Sequence, residues 1–442
     1  MFKEGIKDRA VGWLTRNPLV YSALASEPVH ELLKAGISMY VRSLRDPQNP
    51  EILNPSNETL LKKLGTLEAI NRFFLPEKER VFESNLANTL RKDLEKATID
   101  GVEANSISKL KRTLGLMGER CLNKVLLDFM VVNFGLGTLK KHLLVQQGEP
   151  SFNYLTLQVN SDCNAKPRCP GCFAENNTSK LSDEVLDRVQ GEAVSLASRF
   201  TIIIGGEPLL EKKSLLALFR KYNRTPFLIA TNGILLDEDY AREVADLGNV
   251  ITFINTPGLE DTTNKIRNNK SAWTQINKAA ENLKKYHAAS GFTATVYQNN
   301  FMEVSSGKFV QQMVDFDMML GFYFAYAEPL GCSPNTELAL TLEMSEEFSR
   351  RVQDVSNNYP INLIDTSEGR ERILGGCPAG RRDLIYVQSD GNVGGCPMVP
   401  QSDGKLNVSK LSLREILRAA YFERIKKEQP SCLNSSQFWS AS

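Results

Sequence analysis

Between residues 154 and 327, six short runs rich in β-branched and aromatic residues alternate with segments of helical periodicity. The predicted strands cover residues 154–160, 200–204, 227–231, 250–254, 293–298 and 322–327. The predicted helices cover residues 182–198, 212–222, 237–247, 271–289 and 306–319. Because parallel strands are joined by crossover segments of this length, the repeat predicts a parallel sheet. The predicted fold class is therefore α/β, a partial (β/α)6 barrel of the TIM type.

An all-helical domain is predicted for residues 1–148, where no strand pattern is present. Apolar residues recur there at helical spacing, at Leu60, Leu61, Leu64, Leu122, Val125, Leu126, Phe129 and Met130. Two interpretations stay open: a structural cap or dimerisation element, or a surface over residues 12–41 that docks on a membrane or on a long apolar substrate. The mixed charges of residues 12–41 favour the first, because membrane docking needs a basic polar face.

A small α+β extension is predicted for residues 336–442, so that the barrel occupies residues 149–335. Residues 384–388 begin a predicted hairpin that turns at Ser389–Gly391. A helix is predicted over residues 411–427. Its apolar face carries Leu413, Ile416, Leu417 and Tyr421.

Charge and hydropathy limit the partners and the location of the protein. The 53 Lys and Arg residues balance 52 Asp and Glu residues, so there is no positive field to attract nucleic acid. No stretch approaches the roughly 20 apolar residues of a membrane span. The first residues carry charges where a signal peptide needs an apolar run. We therefore expect a cytoplasmic protein without a nucleic-acid partner.

Three of the eight cysteines lie close together, at Cys163, Cys169 and Cys172. In a reducing compartment such a group indicates metal ligands rather than disulfides. An iron–sulfur cube held by three thiolates leaves one iron open, and an open iron can chelate a small molecule. The spacing therefore favours an iron–sulfur cluster.

Zinc is the alternative metal for these thiols. A structural zinc site needs four ligands. The chain has three histidines, His30, His142 and His287, and none is near the cysteines in sequence. A closed zinc site would therefore need Cys121 or Cys332 as its fourth ligand.

Polar and glycine-rich segments follow the predicted strands at their carboxyl ends, where barrels of this type place their active sites. Cys163 follows the first strand, Gly205–Pro208 the second and Thr231–Gly233 the third. Glu328–Gly331 follows the sixth. We therefore expect these four segments to meet at one edge of the sheet.

The three-cysteine loop after the first strand, with "GGEP" at 205–208 after the second, resembles the radical S-adenosylmethionine (radical SAM) enzymes. The commonest family spacing is C-x3-C-x2-C, whereas this sequence has C-x5-C-x2-C. Gly171 stands where the family usually has an aromatic residue, and Phe173 follows the last cysteine instead. The resemblance covers residues 152–331.

The resemblance implies a [4Fe–4S] cluster on Cys163, Cys169 and Cys172, and a SAM site beside it. Backbone of the "GGEP" segment, and often its glutamate, would hold the amino group of SAM, while the "EPLG" segment would contact adenine. Arg267 and Gln298 are predicted to contact the carboxylate or ribose. The implied SAM-binding residues are Phe173, Gly205, Gly206, Glu207, Pro208, Thr231, Asn232, Arg267, Gln298, Pro329 and Leu330.

The extension has a resemblance of its own. Cys377, Gly391 and Cys396 give C-x13-G-x4-C, which resembles the opening of the SPASM or twitch domains that hold auxiliary [4Fe–4S] clusters. The resemblance implies one auxiliary cluster held by Cys377, Cys396 and Cys432, with Cys332, a substrate or solvent as fourth ligand. Two buried structural cysteines beside a hairpin are the alternative. Cys121, on an apolar helical face, is predicted to be a core residue.

The implied reaction is reductive cleavage of SAM, after which a 5′-deoxyadenosyl radical removes a hydrogen atom from a peptide, a small metabolite or a lipid. A flavodoxin- or ferredoxin-type protein would donate the electron. No individual catalytic residue is predicted, because the cofactors carry the difficult step. A non-catalytic iron–sulfur electron carrier and a zinc-binding structural protein are the rival functions, and neither needs a SAM site.

Overall fold

The structure is a computed structural model, and it describes residues 26, 105–174, 178–327, 337–366, 378–399 and 404–428. The chain divides into two compact units, Met1–Ser151 and Phe152–Ser442, which are described separately. The predictions for residues 12–41 and for Leu60–Leu64 lie outside the described residues. The same holds for Pro329, Leu330, Cys332, Cys377 and Cys432.

The described part of the first unit is helical. It contains α1 (Asn105–Leu116), α2 (Glu119–Lys124), a π-helix (Val125–Leu136) and α3 (Gly137–Gln146). Cys121 is buried, and burial raises the pKa of its thiol to about 12. A thiol that stays protonated among apolar side chains agrees with the prediction that Cys121 is a core residue.

The second unit is built on one nine-stranded sheet. Its strands are β1 (Tyr154–Gln158), β2 (Phe200–Ile204), β3 (Phe227–Thr231), β4 (Val250–Asn255), β5 (Ser290–Val296), β6 (Leu320–Ala325), β7 (Asn362–Asp365), β8 (Leu384–Val387) and β9 (Val393–Gly394). The order is β7-β6-β5-β4-β3-β2-β1-β8-β9, and every neighbouring pair is parallel except β8 and β9. The sheet does not close, so the predicted partial barrel of the TIM type is confirmed.

Several of the helices that follow the strands begin at a capping side chain. The helices are α4 (Asp183–Ser195), α5 (Lys212–Lys221), α6 (Glu238–Leu247), α7 (Glu260–Ile266), α8 (Ala272–Lys285), α9 (Phe301–Val304), α10 (Gly307–Asp315), α11 (Leu342–Asn358), α12 (Leu413–Leu417) and α13 (Ala420–Glu428). Ser182, Asp237 and Thr341 each accept a hydrogen bond from a backbone N–H in the first turn of the helix that follows. Such caps satisfy amide groups that the helix leaves unpaired, so they fix where the chain leaves the sheet's edge.

Alternate residues of the central strands build the hydrophobic core between the sheet and its helices. Leu155, Ile203, Ile229 and Phe292 are buried in that core. Since side chains alternate along a strand, the intervening residues face the other side of the sheet, the inside of the barrel. The strand ends, and not the core face, therefore carry the polar site.

Two features of the sheet differ from the prediction. A seventh parallel strand that was not predicted follows the six, because α11 leads into β7, which pairs in parallel with β6. Strand β8 forms the predicted hairpin with β9, and it also pairs in parallel with β1. The barrel sheet therefore has eight parallel strands where six were predicted. The boundary drawn between residues 335 and 336 stays a prediction.

The helix predicted over residues 411–427 is also wrong in detail. The structure has two helices, α12 and α13, with a break at Arg418 and Ala419. The first begins with a capping box, in which the Ser412 and Glu415 side chains each bond the other's backbone N–H. Leu413, Ile416 and Leu417 are buried as predicted.

Candidate functional site at the carboxyl edge of the sheet

The three clustered cysteines lie in the loop that leaves β1, residues 161–174, here called the cysteine loop. Cys163 is buried, Cys169 is half-buried and Cys172 is exposed. Burial raises the pKa of the Cys163 thiol, and the nearby Cys169 and Cys172 sulfurs raise it further. The three thiols thus share one loop at the carboxyl end of β1.

Hydrogen bonds from one side chain join the two ends of the cysteine loop. The Arg168 guanidinium donates hydrogen bonds to the carbonyl oxygens of Ser161 and Ala174, one at each end of the loop. The amide of Cys172 donates to the Cys169 carbonyl at 3.2 Å, which makes a tight turn around Pro170 and Gly171. The loop thus has a defined path before any ligand is considered.

Two tyrosines from neighbouring strand ends hold that turn. Tyr297, just after β5, donates its hydroxyl to the Pro170 carbonyl at 3.1 Å. Gly171 has φ +63°, and a Cβ there would lie 2.1 Å from the ring of Tyr326, just after β6. Gly171 therefore leaves space for the Tyr326 ring, which explains why an aromatic side chain cannot stand at this position.

The two glycines after β2 are packed against the start of the cysteine loop. A Cβ on Gly205 would lie 2.5 Å from Oδ1 of Asn160, and one on Gly206 would lie 2.1 Å from the carbonyl oxygen of Asp162. The amide of Gly206 donates to Asn160, and that of Glu207 donates to Asp162, at 2.9 and 2.8 Å. We predicted these glycines to allow close approach of SAM. In the structure they allow close approach of the loop's own backbone.

Glu207 is buried and bridges the ends of β2 and β3. Its Oε1 accepts hydrogen bonds from the Leu209 amide at 3.0 Å and from the Thr231 hydroxyl at 2.6 Å, and its Oε2 accepts one from the Asn232 amide at 2.8 Å. Burial raises the pKa of Glu207, and these hydrogen bonds oppose the rise. Both carboxylate oxygens are thus already bonded within the protein.

Asn232 joins the end of β3 to the first cysteine. Its Nδ2 donates to Oδ1 of Asn164 at 2.7 Å and lies 3.8 Å from the Cys163 sulfur. Its Oδ1 accepts from the Ile234 amide at 2.9 Å, which fixes the side-chain orientation. The predicted meeting of the first three strand ends is therefore present in the geometry.

The other residues predicted to contact SAM differ in their hydrogen-bond partners and in their burial. Arg267, at the end of α7, donates from Nη1 to the Cys169 sulfur at 3.0 Å. Gln298 donates from Nε2 to the carbonyl oxygen of Ala339 at 2.6 Å, so its amide group is bound to the segment before α11. Phe173 is half-buried at the end of the cysteine loop, and Pro208 is buried at the start of the short 3₁₀ turn Pro208–Glu211.

Sequence reasoning missed four residues that shape this edge: Asn160, Tyr297, Tyr326 and Ser389. Tyr297 and Tyr326 directly follow β5 and β6, and Asn160 lies two residues after β1, so the rule that points to strand ends could have found them. Ser389, in the hairpin turn after β8, lies 2.5 Å from the Ser161 hydroxyl and 2.7 Å from the Ser179 hydroxyl. No sequence signal marks that contact.

The donor chemistry of the cysteine loop fits an iron–sulfur cluster. Its donors are three sulfurs, with a guanidinium on one of them and an amide nitrogen near another. Among the residues that the structure describes, no three His, Cys, Asp or Glu side chains are close enough to surround a single metal ion. Three thiolates on one loop are the donor set of a four-iron cluster with one open iron, so the chemistry of the donors fits such a cluster.

Of the four cysteines predicted to hold the auxiliary cluster, Cys396 is the one that lies in the part of the chain that the structure describes. Cys396 is half-buried, and its sulfur accepts a hydrogen bond from the Met398 amide at 3.4 Å. Burial raises the pKa of the neighbouring Tyr421 hydroxyl to about 12, and Cys396 contributes to that rise. The auxiliary cluster stays a prediction.

Comparison with known families identifies the edge just described. Residues 158–303 match the family model of the Radical SAM superfamily. This segment forms a radical SAM domain. Enzymes of this superfamily use a [4Fe–4S] cluster and SAM, and the match spans the cysteine loop, the "GGEP" segment and Arg267.

One curated relative and several solved structures are similar to the chain. Fe-coproporphyrin III synthase of Methanosarcina barkeri (strain Fusaro / DSM 804) is 25% identical over 148 residues, which cover 32% of this chain and 36% of that relative. The match thus spans about a third of the relative's length.

Two solved structures share the fold at low identity. AnSMEcpe with bound AdoMet and Cp18Cys peptide has a TM-score of 0.52 and 20% identity, over 62% of this chain and 82% of that one. Streptococcus suis SuiB bound to S-adenosylmethionine has a TM-score of 0.53 and 16% identity, over 66% and 72%. SuiB has also been solved with its precursor peptide SuiA.

None of the helices in the described segments combines the length and the apolar character that a bilayer crossing requires.

Proposed function

We propose that this chain is a radical SAM enzyme that cleaves SAM reductively at a [4Fe–4S] cluster held by Cys163, Cys169 and Cys172. When bound, the cluster supplies the electron that breaks the sulfonium bond of SAM, and the resulting 5′-deoxyadenosyl radical removes a substrate hydrogen atom. The observation that carries the proposal is the Glu207 bridge, which brings the glycine segment and the end of β3 against the loop of the first cysteine.

The chain's own residues supply rigidity and position. Glu207 and Asn232 fix the floor beside Cys163, and the Gly205–Gly206 backbone fixes the start of the cysteine loop. Such groups, locked by their own hydrogen bonds, need no rearrangement when the cofactors bind. We therefore assign the SAM site to this edge, with the contacts predicted from the resemblance.

The substrate is proposed to be a peptide, a small metabolite or a lipid. The solved relatives named above carry bound peptides, and this supports a peptide. The curated relative is named for an iron porphyrin, and this supports a small metabolite. A flavodoxin- or ferredoxin-type protein is proposed as electron donor. The extension is proposed to hold one auxiliary cluster through Cys377, Cys396 and Cys432, with Cys332, a substrate or solvent as the fourth ligand.

The test is anaerobic reconstitution with iron and sulfide, reduction with dithionite, and measurement of 5′-deoxyadenosine from SAM. We expect 5′-deoxyadenosine from the wild-type protein and none from Cys169→Ala, which should keep its fold because the loop lies outside the core. Cys121→Ala is the matched control, since it removes a thiol that is buried in the first unit.

The rival functions give different results in the same experiment. An electron carrier would bind iron and sulfide and yield no 5′-deoxyadenosine above the Cys163→Ala background. A zinc-binding structural protein would contain zinc without iron or sulfide. Either result would reject the proposed function.

A further inference from the structure

Arg267 is a buried cation at the cysteine loop. The residue is 8% exposed. Its Nη1 donates to the Cys169 sulfur at 3.0 Å, and its Nη2 donates to the carbonyl oxygen of Asn255 at 3.1 Å and also to the Asn255 side-chain oxygen. Two of the three guanidinium nitrogens are therefore fixed between the end of β4 and the second cysteine.

The charge of Arg267 is compensated in an unusual way. A guanidinium stays protonated at all relevant pH values, and a buried charge is costly unless an opposite charge or hydrogen bonds offset it. Within the described ranges no carboxylate lies at ion-pair distance from Arg267, and its buried Nε has no hydrogen-bond acceptor. Among the described residues in contact with this guanidinium, the Cys169 sulfur is the group that can carry a full negative charge, while the buried Glu207 carboxylate interacts with Arg267 from beyond ion-pair distance.

Arg168, a second arginine at the cysteine loop, bonds backbone oxygens and not a cysteine sulfur. It directly precedes Cys169, yet its guanidinium donates to the carbonyl oxygens of Ser161 and Ala174. Arg168 shapes the loop through the backbone, whereas Arg267 reaches a sulfur from another strand end. The two cations are therefore not equivalent.

We propose that Arg267 is a tuning residue: in the loaded protein it donates a charged hydrogen bond to the Cys169 thiolate and raises the reduction potential of the cluster. The inference rests on the proposed function, because it needs a cluster at this loop. Adding one electron makes the cluster and its thiolates more negative, and a buried positive charge beside them stabilises that state. Hydrogen bonds to cluster sulfurs act in the same direction.

The proposal also gives Arg267 a role that does not depend on SAM. The contact with Cys169 uses one of the two N–H groups of Nη1 and needs no part of SAM, while the second Nη1 hydrogen and the Nε hydrogen remain for a further partner. The effect on potential should therefore be present before SAM is added.

The experiment is a redox titration of the anaerobically reconstituted full chain, followed by the electron paramagnetic resonance signal of the reduced cluster. Dithionite supplies the single electron, and no proton is transferred. Arg267→Gln removes the charge. Asn255→Asp keeps Arg267 and its contact with Cys169, and places a carboxylate on Nη2 that offsets the positive charge.

In both variants we expect the midpoint potential to become more negative by about 59 mV, a tenfold change in the ratio of reduced to oxidised cluster at a fixed potential. Lys265→Gln is the matched control, because it removes the same charge from an exposed position on the same helix. Its potential should equal that of the wild type.

Wild-type potentials in Arg267→Gln and Asn255→Asp, at full iron content, would overturn the inference. If Arg267→Gln takes up less iron than the wild type, the titration is read on the fraction that carries the cluster, and a wild-type midpoint in that fraction overturns the inference. A wild-type protein that takes up no four-iron cluster would reject the proposed function itself, and the inference with it.

Discussion

The hydroxyl of Thr231 donates a 2.6 Å hydrogen bond to Oε1 of Glu207, although the two residues belong to different strand ends. The same carboxylate accepts from two backbone amides, at Leu209 and Asn232. One buried side chain thus orients three segments of the site's floor. Glu207 acts first as a structural bridge, and any contact with SAM would be made on that rigid support.

Glu207→Gln should destabilise the protein by about 1–3 kcal/mol, because one amide N–H would then face an NH₂ group instead of an oxygen. Denaturant unfolding measures this change. Glu211→Gln is the matched control, since it breaks a surface ion pair with Lys180 and should change the free energy of unfolding by less than about 0.5 kcal/mol. Equal stability of the two variants would contradict the bridging role.

Gly206→Ala should cost about 1–3 kcal/mol of overpacking and should also reduce iron uptake. The added Cβ would lie 2.1 Å from the Asp162 carbonyl oxygen and would push the start of the cysteine loop. Gly137→Ala is a control with ordinary space, because its nearest neighbour is a backbone oxygen at 3.6 Å. Unfolding free energy and iron content per chain measure the effect, and a Gly206→Ala protein that behaves like the control would refute it.

Gly171→Ala should reduce both iron uptake and SAM cleavage, and Tyr326→Ala in the same chain should restore part of the loss. The clash with the Tyr326 ring disappears in the double variant, but the strain of a positive φ remains, at about 1–2 kcal/mol. Gly404→Ala isolates that strain, because Gly404 has the same φ of +63° and its nearest neighbour is Nζ of Lys410 at 3.9 Å. If the double variant recovers neither iron uptake nor SAM cleavage, the Tyr326 ring is not the reason why residue 171 must be glycine.

Thiol labelling separates the cysteines by exposure and by pKa. At about pH 8, iodoacetamide should label Cys172 of the iron-free protein before Cys169 and should leave Cys121 unlabelled, because its pKa of about 12 keeps that buried thiol protonated. Reconstitution should protect Cys163, Cys169 and Cys172. Peptide mass spectrometry reads each site, and equal labelling of Cys172 with and without iron would argue against its role as a ligand.

Cys396→Ala should lower the iron content by about four atoms per chain while SAM cleavage survives at least in part, because the proposed auxiliary cluster is separate from the cysteine loop. Iron and sulfide analysis beside the 5′-deoxyadenosine assay measures both. Unchanged iron would remove the auxiliary cluster and would leave Cys396 as a structural residue against the core.

The parts of the fold that were predicted are those with strong local signals. Strands β1 to β6 are apolar runs separated by long helical patterns, and each is present within a few residues of its prediction. Strand β7 was missed because it has only four residues and begins and ends on polar side chains, Asn362 and Asp365. The pairing of β8 with β1 is a tertiary choice that no local pattern encodes.

The candidate site divides in the same way. The rule that active sites lie at strand ends correctly brought Cys163, Glu207 and Asn232 to one edge. The contact of Arg267 with Cys169 and that of Gly171 with Tyr326 depend on the path of the cysteine loop. That path is set by backbone contacts from several strands, so the sequence pattern could not specify it.

The pairing of β1 with β8 has a consequence for how the protein is made. The contact between Asn153 and Asp383 at this strand pair spans 230 positions. At a translation speed of about 5–20 residues per second, the outer edge of β1 waits tens of seconds on the ribosome before its neighbour emerges. During that interval an unpaired strand edge beside three cysteines is open to wrong partners, so chaperone protection at this stage would govern the yield of folded protein.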